Sequence, residues 1–511
     1  MEEPQQSKPG KARLILDTGT RSIPINDRVF GSFVEHLGRG IYTGIYEPNH
    51  PTANKAGFRQ DVIDLVKELG VTTIRYPGGN FVSGYRWEDG VGPRSERPKR
   101  IDLAWHSGES NEFGLHEMAD WLDELGGNEL MEAVNLGTRG IQEALDLLEY
   151  ANIPSGTALS DMRRRNGREQ PFGIRMWCLG NEMDGTWQVG HKTAHEYARL
   201  VTQTATAMRM IDPGLELVAC GSSSHSMPTF GEWERTVLEE AYDQIDFISC
   251  HAYYEPHNHD MASFLASGVD MDGFIRDVAS VIAAVRGRLK SKHQVYISFD
   301  EWNVWYQDAE PSKPPVGIGN WPQGSRLLED IYSVADAVVF GDLLITLLRN
   351  VNIVHSASLA QLVNVIAPIM TEPGGPAWRQ TIFFPFALTA KYAKGGSVLA
   401  SQEDADSCET SQYGEVPMTD SVVVRGADGS LTIFVVNRSL DRSVEYRSDV
   451  SGLYKAGKVV VQSIHDKDVA ARNTLEDPKR VGLQTRKDFT FENGKLGIIL
   501  PPVSWTSIHI D

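Results

Sequence analysis

The chain has 511 residues and sets 49 Lys+Arg against 68 Asp+Glu, a net charge of −19, which repels phosphate backbones and anionic lipid and excludes the basic footprint of a nucleic-acid binder. Its length exceeds one ordinary core, so two domains, one of them large, are expected. The polar start has no apolar signal region, and no stretch reaches the roughly 18 apolar residues of a membrane span, so the expected location is the cytoplasm.

Residues 12–17 (ARLILD) follow a start expected to be disordered and read as a strand, and 30–37 (FGSFVEHL) reads as a second that ends in Glu35-His36. A helical period runs over 57–69, with Phe58, Val62, Leu65 and Val66 on one face. The β-branched run 71–77 leads into Gly78-Gly79-Asn80. Helix-like 112–125, strand-like 130–136 and helix-like 138–150 repeat the unit. Stretch 173–185 (GIRMWCLGNEMDG) is a short apolar run stopped by Gly180 and followed at once by Asn181 and Glu182, the look of a buried parallel strand with polar groups at its carboxyl end. Helix 193–211, strand 215–220, helix 232–242 and strand 245–250, ending in His251 and Tyr253, come next. After helix 273–289, stretch 295–306 (VYISFDEWNVWY) repeats the design of 173–185, its apolar run ending in Asp300-Glu301. A long helix over 326–349 and a strand over 351–356 before Gln361 complete eight strand-then-helix alternations. That count, with a polar group at most strand ends, predicts an α/β fold of the (β/α)₈ barrel type. A doubly wound sheet ranks lower because it gathers its ligands at one switch point.

From about Pro376 short alternating runs parted by Gly, Asp and Asn replace the helical period, at 422–425, 431–437, 458–464, 496–500 and 505–510, which is a β-sandwich pattern without a long helix. The expected division is therefore an N-terminal segment 1–27 whose strand joins the sandwich, a barrel over 28–375 and a sandwich over 376–511. The four cysteines (Cys178, Cys220, Cys250, Cys408) show no metal-ligand spacing and read as small hydrophobes in a reducing compartment.

Two carboxyls on two strand ends suit glycoside hydrolysis with retention, which needs one carboxyl that can give a proton and one that attacks as a carboxylate. Glu182 and Glu301 fit these parts, and Arg75 and Tyr253 stand where they can hydrogen-bond the attacking carboxylate. A single Glu after a strand is most often a loop residue or a helix-cap neighbour; two in matched settings are what carry the argument. Glu35, Asn80, Asn181 and Gln361 have the chemistry of sugar-hydroxyl partners, although each alone is better explained by a turn or loop. Trp105, Trp302 and Trp305 suit either stacking on a sugar or a core role. His36 and His251 lack a third ligand at recognisable spacing, so no metal is expected, and Gly78-Gly79 lacks the Gly-Lys-Ser/Thr of a phosphate loop.

At these residues the sequence resembles the α-L-arabinofuranosidases of glycoside hydrolase family 51 over essentially its whole length. The motifs are Glu35-His36-Leu37-Gly38-Arg39, Arg75-Tyr76-Pro77-Gly78-Gly79-Asn80, the run from Trp177 to Gly185, Asp300-Glu301-Trp302-Asn303-Val304-Trp305-Tyr306 and Gln361-Leu362-Val363-Asn364. The resemblance implies a barrel with a C-terminal β-sandwich, Glu182 as acid/base after strand 4 and Glu301 as nucleophile after strand 7. It also implies that Glu35, Asn80, Asn181 and Gln361 bind the arabinose hydroxyls, that Arg75 and Tyr253 set up the nucleophile, that Trp105 and Trp305 wall the pocket, and that the protein is a homo-oligomer, commonly a hexamer. The implied activity is exo-acting release of terminal arabinofuranosyl residues from arabinan or arabinoxylan oligosaccharides, without a cofactor. One alternative keeps the mechanism on a β-xyloside or an internal glucan or xylan bond; another, a non-hydrolytic carbohydrate-binding protein, is disfavoured by the presence of both Glu.

Overall fold

In the computed structural model, which describes residues 8–16, 22–307, 309 and 312–511, eight parallel strands close into a barrel. They are β1 (Gly31–Phe33), β2 (Thr73–Tyr76), β3 (Glu129–Val134), β4 (Met176–Leu179), β5 (Glu216–Ala219), β6 (Phe247–Tyr254), β7 (Tyr296–Val304) and β8 (Val354–Leu359). Each pairs with its neighbour in sequence, and β8 closes onto β1 through Ser358 beside Gly31. The helices that follow them are α1 (Gln60–Leu69), α2 (Leu115–Leu125), α3 (Ile141–Asn152), α4 (Ala194–Ile211), α5 (Glu232–Ala241), α6 (Ser267–Leu289), α7 (Val334–Arg349) and α8 (Phe383–Ala393). The predicted barrel is therefore present. The two-residue side-chain period of the strands puts Met131, Ala133, Met176, Cys178, Val218 and Phe247 in one inner cluster, and sends Leu130, Val134, Trp177 and Leu179 outward against the helices.

Several element boundaries differ from the sequence reading, each for a local reason. The strand expected over 30–37 is only three residues long, because Glu35 N–H turns aside to Gln361 Oε1 at 3.2 Å and Leu37 N–H folds back on Glu35 C=O at 2.8 Å. The helix expected from 326 starts at Val334, where Ser333 Oγ accepts the Asp336 N–H and the Asp336 carboxylate accepts the Ser333 N–H, a capping box. Strands β6 and β7 run on past 250 and 301, so His251, Tyr253, Asp300 and Glu301 lie within strands rather than after them. Past Pro376, where no long helix was expected, α8 spans 11 residues; it is apolar on most faces and packs between α7 and α1 as the eighth helix of the ring. Its period is hidden because its neighbours cover it nearly all round.

The C-terminal strands form two sheets over a shared core that includes Leu14, Ile433, Tyr446, Ile498 and Ile508. The N-terminal strand Gly10–Leu16 lies in the five-stranded sheet, antiparallel to Ser401–Ala405 and parallel to Val444–Asp449; residue 17 and residues 1–7, where disorder was expected, lie outside the described residues. The outer face of the seven-stranded sheet packs on α7. There Gly341 admits the Trp505 ring, which any Cβ would strike, and buried Arg438 joins Asp342 at 2.8 Å and Asp420 at 3.0 Å. The sandwich is thereby fixed to the barrel flank by both packing and charge. The four cysteines are free, and Cys178, Cys220 and Cys250 are buried.

Candidate active site

The carboxyl ends of the strands bring a chain of polar side chains together over the inner apolar layer. Glu301 is 5 % exposed and receives Arg75 Nη1 on Oε1 at 2.7 Å and the Tyr253 hydroxyl on Oε2 at 2.6 Å. Arg75 reaches it because Arg75 pairs in register with inward-facing Met131 on β3. Two consecutive acidic residues face this interior because β7 carries one residue more than either neighbour: Ser298 to Glu301 spans Ser249 to His251 on β6, and Phe299 to Trp302 spans Ala357 to Leu359 on β8. A bulge of this kind breaks the alternation and turns both Asp300 and Glu301 to one side.

Glu182 sits just past β4 with a positive φ of 43°, a conformation costly for a residue with a Cβ and typical of sites where the surroundings hold a side chain in place. Its Oε1 lies 2.8 Å from His251 Nδ1, and its Oε2 accepts the Trp187 indole N–H at 2.7 Å. The second ring nitrogen of His251 lies 2.9 Å from Asp300 Oδ1. Burial alone would push His251 down, but the Glu301 charge and the hydrogen bonds to Asp300 and Glu182 outweigh it and hold the imidazole well above its ordinary value. One donor atom each of Glu182, His251 and Glu301 lie within 4.8 Å of one another. Arg75 and His251 already place positive charge among these carboxyls, so the set is better suited to moving protons than to gripping a cation.

The sugar-side residues named from sequence also meet here. Asn181 Oδ1 accepts from Arg75 Nη2 at 2.7 Å, and its amide nitrogen points to Asn80 Oδ1 at 3.2 Å. Glu35 receives the Phe81 N–H at 2.8 Å, the Trp105 indole N–H at 2.9 Å and the Gln361 amide at 3.1 Å. Burial raises the Glu35 carboxyl to about 8, against the pull of the Phe81 and Trp105 donors. Gly79 is required beside it, since a Cβ there would fall 2.6 Å from Glu35 Oε2. Trp305 packs edge-on against Tyr253 with ring centroids 5.0 Å apart.

Of the two roles open to Trp302, the core one holds: it is fully buried against Phe340 of α7, outside the barrel, and cannot stack on a ligand. Sequence reasoning passed over Asp300 and Trp187, and weighed His251 only as a metal ligand. The signals were present, since Asp300 precedes Glu301 and Trp187 follows Glu182 by five residues, but neither spacing announces a contact. Loop 312–323 and the β2 loop meet on the rim, where His106 stacks on Trp321 with centroids 3.7 Å apart.

Known proteins resemble the chain over its whole length. A model of the α-L-arabinofuranosidase 1 domain matches residues 65–268, and one of the α-L-arabinofuranosidase C-terminal domain matches residues 300–504. An exo-α-(1→6)-L-arabinofuranosidase of Bifidobacterium longum is 64% identical over 519 aligned residues, covering 100% of this chain and 99% of its own. An intracellular exo-α-(1→5)-L-arabinofuranosidase of Streptomyces lividans is 56% identical, covering 98% of this chain and 75% of its own. A solved family 51 α-L-arabinofuranosidase from Bifidobacterium longum superposes with a TM-score of 0.94 at 48% identity, covering 99% of this chain and 100% of that one.

Proposed function

The chain belongs to the α-L-arabinofuranosidases of glycoside hydrolase family 51, and from that premise we propose a retaining, exo-acting enzyme in which Glu301 is the nucleophile and Glu182 the acid/base. The observation that carries the roles is the company each carboxyl keeps. Glu301 faces a fixed cation and a fixed hydroxyl donor, which hold its two oxygens in place for attack. Glu182 faces an imidazole that can exchange a proton. Arg75 and His251 join Asp300, Glu301 and Glu182 in one ion-paired cluster, so the two catalytic carboxyls share the imidazole between them.

Glu301 attacks the anomeric carbon as the bond to the leaving oxygen breaks, and Glu182 gives that oxygen its proton. The glycosyl ester removes the charge on Glu301. Glu182 then takes a proton from water as the water oxygen attacks the same carbon and the ester bond breaks. An oxygen of each carboxyl comes within 4.8 Å of the other, which supports direct attack over attack through an interposed water. Arg75 holds the carbonyl side of Asn181 and so aims its NH₂, which lies 3.2 Å from Asn80 Oδ1 and 3.4 Å from Gln188 Oε1, at the pocket; Asn181 shares the sugar hydroxyls with Glu35, Asn80 and Gln361, with Trp105 and Trp305 as walls. The substrate is a terminal non-reducing α-L-arabinofuranosyl residue on an arabinan or arabinoxylan oligosaccharide, the enzyme is cytoplasmic, and it assembles as a homo-oligomer. The experiment is proton NMR of the first product together with aryl arabinofuranoside, xyloside and cellobioside assays. The α-furanose released first, from the arabinofuranoside alone, is the expected result; a β-anomer released first rejects the mechanism, and light scattering tests the assembly.

A further inference from the structure

The loop after β4 returns to the catalytic pocket at two consecutive residues, Trp187 and Gln188. Trp187 gives its indole N–H to Glu182 Oε2 at 2.7 Å, and Gly185 leaves room for its ring, since a Cβ there would lie 2.5 Å from Trp187 Cε2. Gln188 is 2 % exposed, and its amide links the β4 loop to the β2 loop. Nε2 donates to Ser83 Oγ and to the backbone oxygen of Asn80, the latter at 3.4 Å, while Oε1 accepts from Asn181 Nδ2 at 3.4 Å. The β3 loop closes the far side. Gly137 packs there so tightly that a Cβ would meet Val189 O at 2.4 Å and Ser83 Cβ at 2.6 Å, and Thr138 donates its N–H and hydroxyl to Ser83 O at 3.2 and 2.7 Å.

We propose that Gln188 is a positioning residue for the reaction: it sets the direction in which the Asn181 and Asn80 amides present their hydrogen-bonding groups to the sugar. This role rests on the reading of the catalytic site above and extends it to a side chain behind the sugar-facing ones. The polarity of each amide is forced by a group that can play only one part. The Asn80 backbone carbonyl can only accept, so the nitrogen of Gln188 must face it, and its oxygen is left for Asn181. The Arg75 guanidinium can only donate, so Asn181 turns Oδ1 to it at 2.7 Å and its NH₂ to Gln188 and to Asn80 Oδ1. That engages the oxygen of Asn80 and leaves its NH₂, without a protein partner among the described residues, to donate to a sugar hydroxyl. The terminal torsion of an Asn is broad and has no strong preference of its own, so these neighbours are what aim both amides. A misaimed amide costs most in the transition state, where hydrogen bonds to the sugar strengthen as charge develops on the ring.

The test is Gln188→Met, of similar length but without the amide, made in the full chain and assayed on an aryl α-L-arabinofuranoside. Its kcat should fall about five- to twentyfold, with KM changed less than about threefold. Two readouts separate aiming from general loosening. Made on top of Asn181→Ala, the same substitution should cost less than about twofold, because the amide it aims is gone. Among the 2-, 3- and 5-deoxy forms of the aryl arabinofuranoside, at least one should lose most of the difference between parent and variant, because the misaimed group has no hydroxyl to meet. Gln188→Glu, nearly identical in shape, is carried through the same cycle if Gln188→Met lowers the melting temperature. A kcat loss that persists in full beside Asn181→Ala and on every deoxy form would make Gln188 a packing residue, and an unchanged kcat would make it dispensable; either overturns the proposal. If the unsubstituted chain fails to cleave the aryl arabinofuranoside, the reading of the catalytic site is what falls.

Discussion

The ends of β4 and β7 present the same residue type to the same pocket in opposite settings. At β7, Glu301 is enclosed: a buried guanidinium and a phenol hold its two oxygens, and a bulge in the strand fixes the pair Asp300-Glu301. At β4, Glu182 stands at the open side, where its partner Trp187 is 53 % exposed and its other partner is a titratable imidazole. The contrast matches what each step demands. A nucleophile must stay ionised and in place, whereas an acid/base must meet a departing oxygen, then a water, and change its proton count between them.

The comparison is broken most severely at the enclosed end. Glu301→Ala should lower kcat by at least roughly 10⁴-fold on every substrate, because no other group can form the ester. It also leaves buried Arg75 short of a counter-charge, so the melting temperature should fall as well. At the open end the loss should depend on the leaving group. Glu182→Ala is expected to cost roughly 10²- to 10⁴-fold on arabino-oligosaccharides and far less on aryl substrates that leave unaided. Azide should partly rescue the aryl reaction and give the α-configured glycosyl azide, read by NMR; a β-azide from this variant would mean that the two roles are exchanged.

A smaller effect sharpens the same contrast. His251→Asn keeps a polar group but removes the titratable link between Asp300 and Glu182, and should lower kcat about tenfold on poor leaving groups with a displaced alkaline limb in the pH profile. A uniform loss with an unmoved profile would make His251 a packing residue only.

The barrel was legible because its signals repeat: eight strand-then-helix alternations, most with a polar residue at the strand's end. The two catalytic candidates, Glu182 and Glu301, could be read for the same reason. What escaped was what one strand does to its neighbour. The extra residue of β7 is visible only against β6 and β8, and nothing in VYISFDEWNVWY announces that Asp300 turns inward beside Glu301. Trp302 and Trp305 look alike in sequence, yet the first lies within β7 and faces the helix layer, whereas the second follows the strand's end and packs on Tyr253 by the pocket. Helix α8 was missed because a helix covered nearly all round loses the amphipathic period that sequence reading depends on.

The smallest expected effect lies on the far wall of the pocket, where Glu35 has no part in bond making but has a shifted proton affinity. Burial raises its carboxyl from 4.5 to about 8, so the folded chain binds a proton there that the unfolded chain has released between those values. Stability from this group is therefore fully present below about 4.5 and is lost as pH rises through about 8. Ligand binding should run the other way. Phe81, Trp105 and Gln361 all donate to Glu35, and sugar hydroxyls that donate as well stabilise the ionised form, so affinity for a furanose inhibitor should rise a few-fold between pH 7 and 9. Glu35→Gln, which cannot ionise, should flatten both the calorimetric affinity and this part of the melting curve across that range. An affinity that stays pH-dependent in the variant would place the titrating group elsewhere, among the His251 cluster, and would leave Glu35 a hydroxyl partner that never changes its charge in the working range.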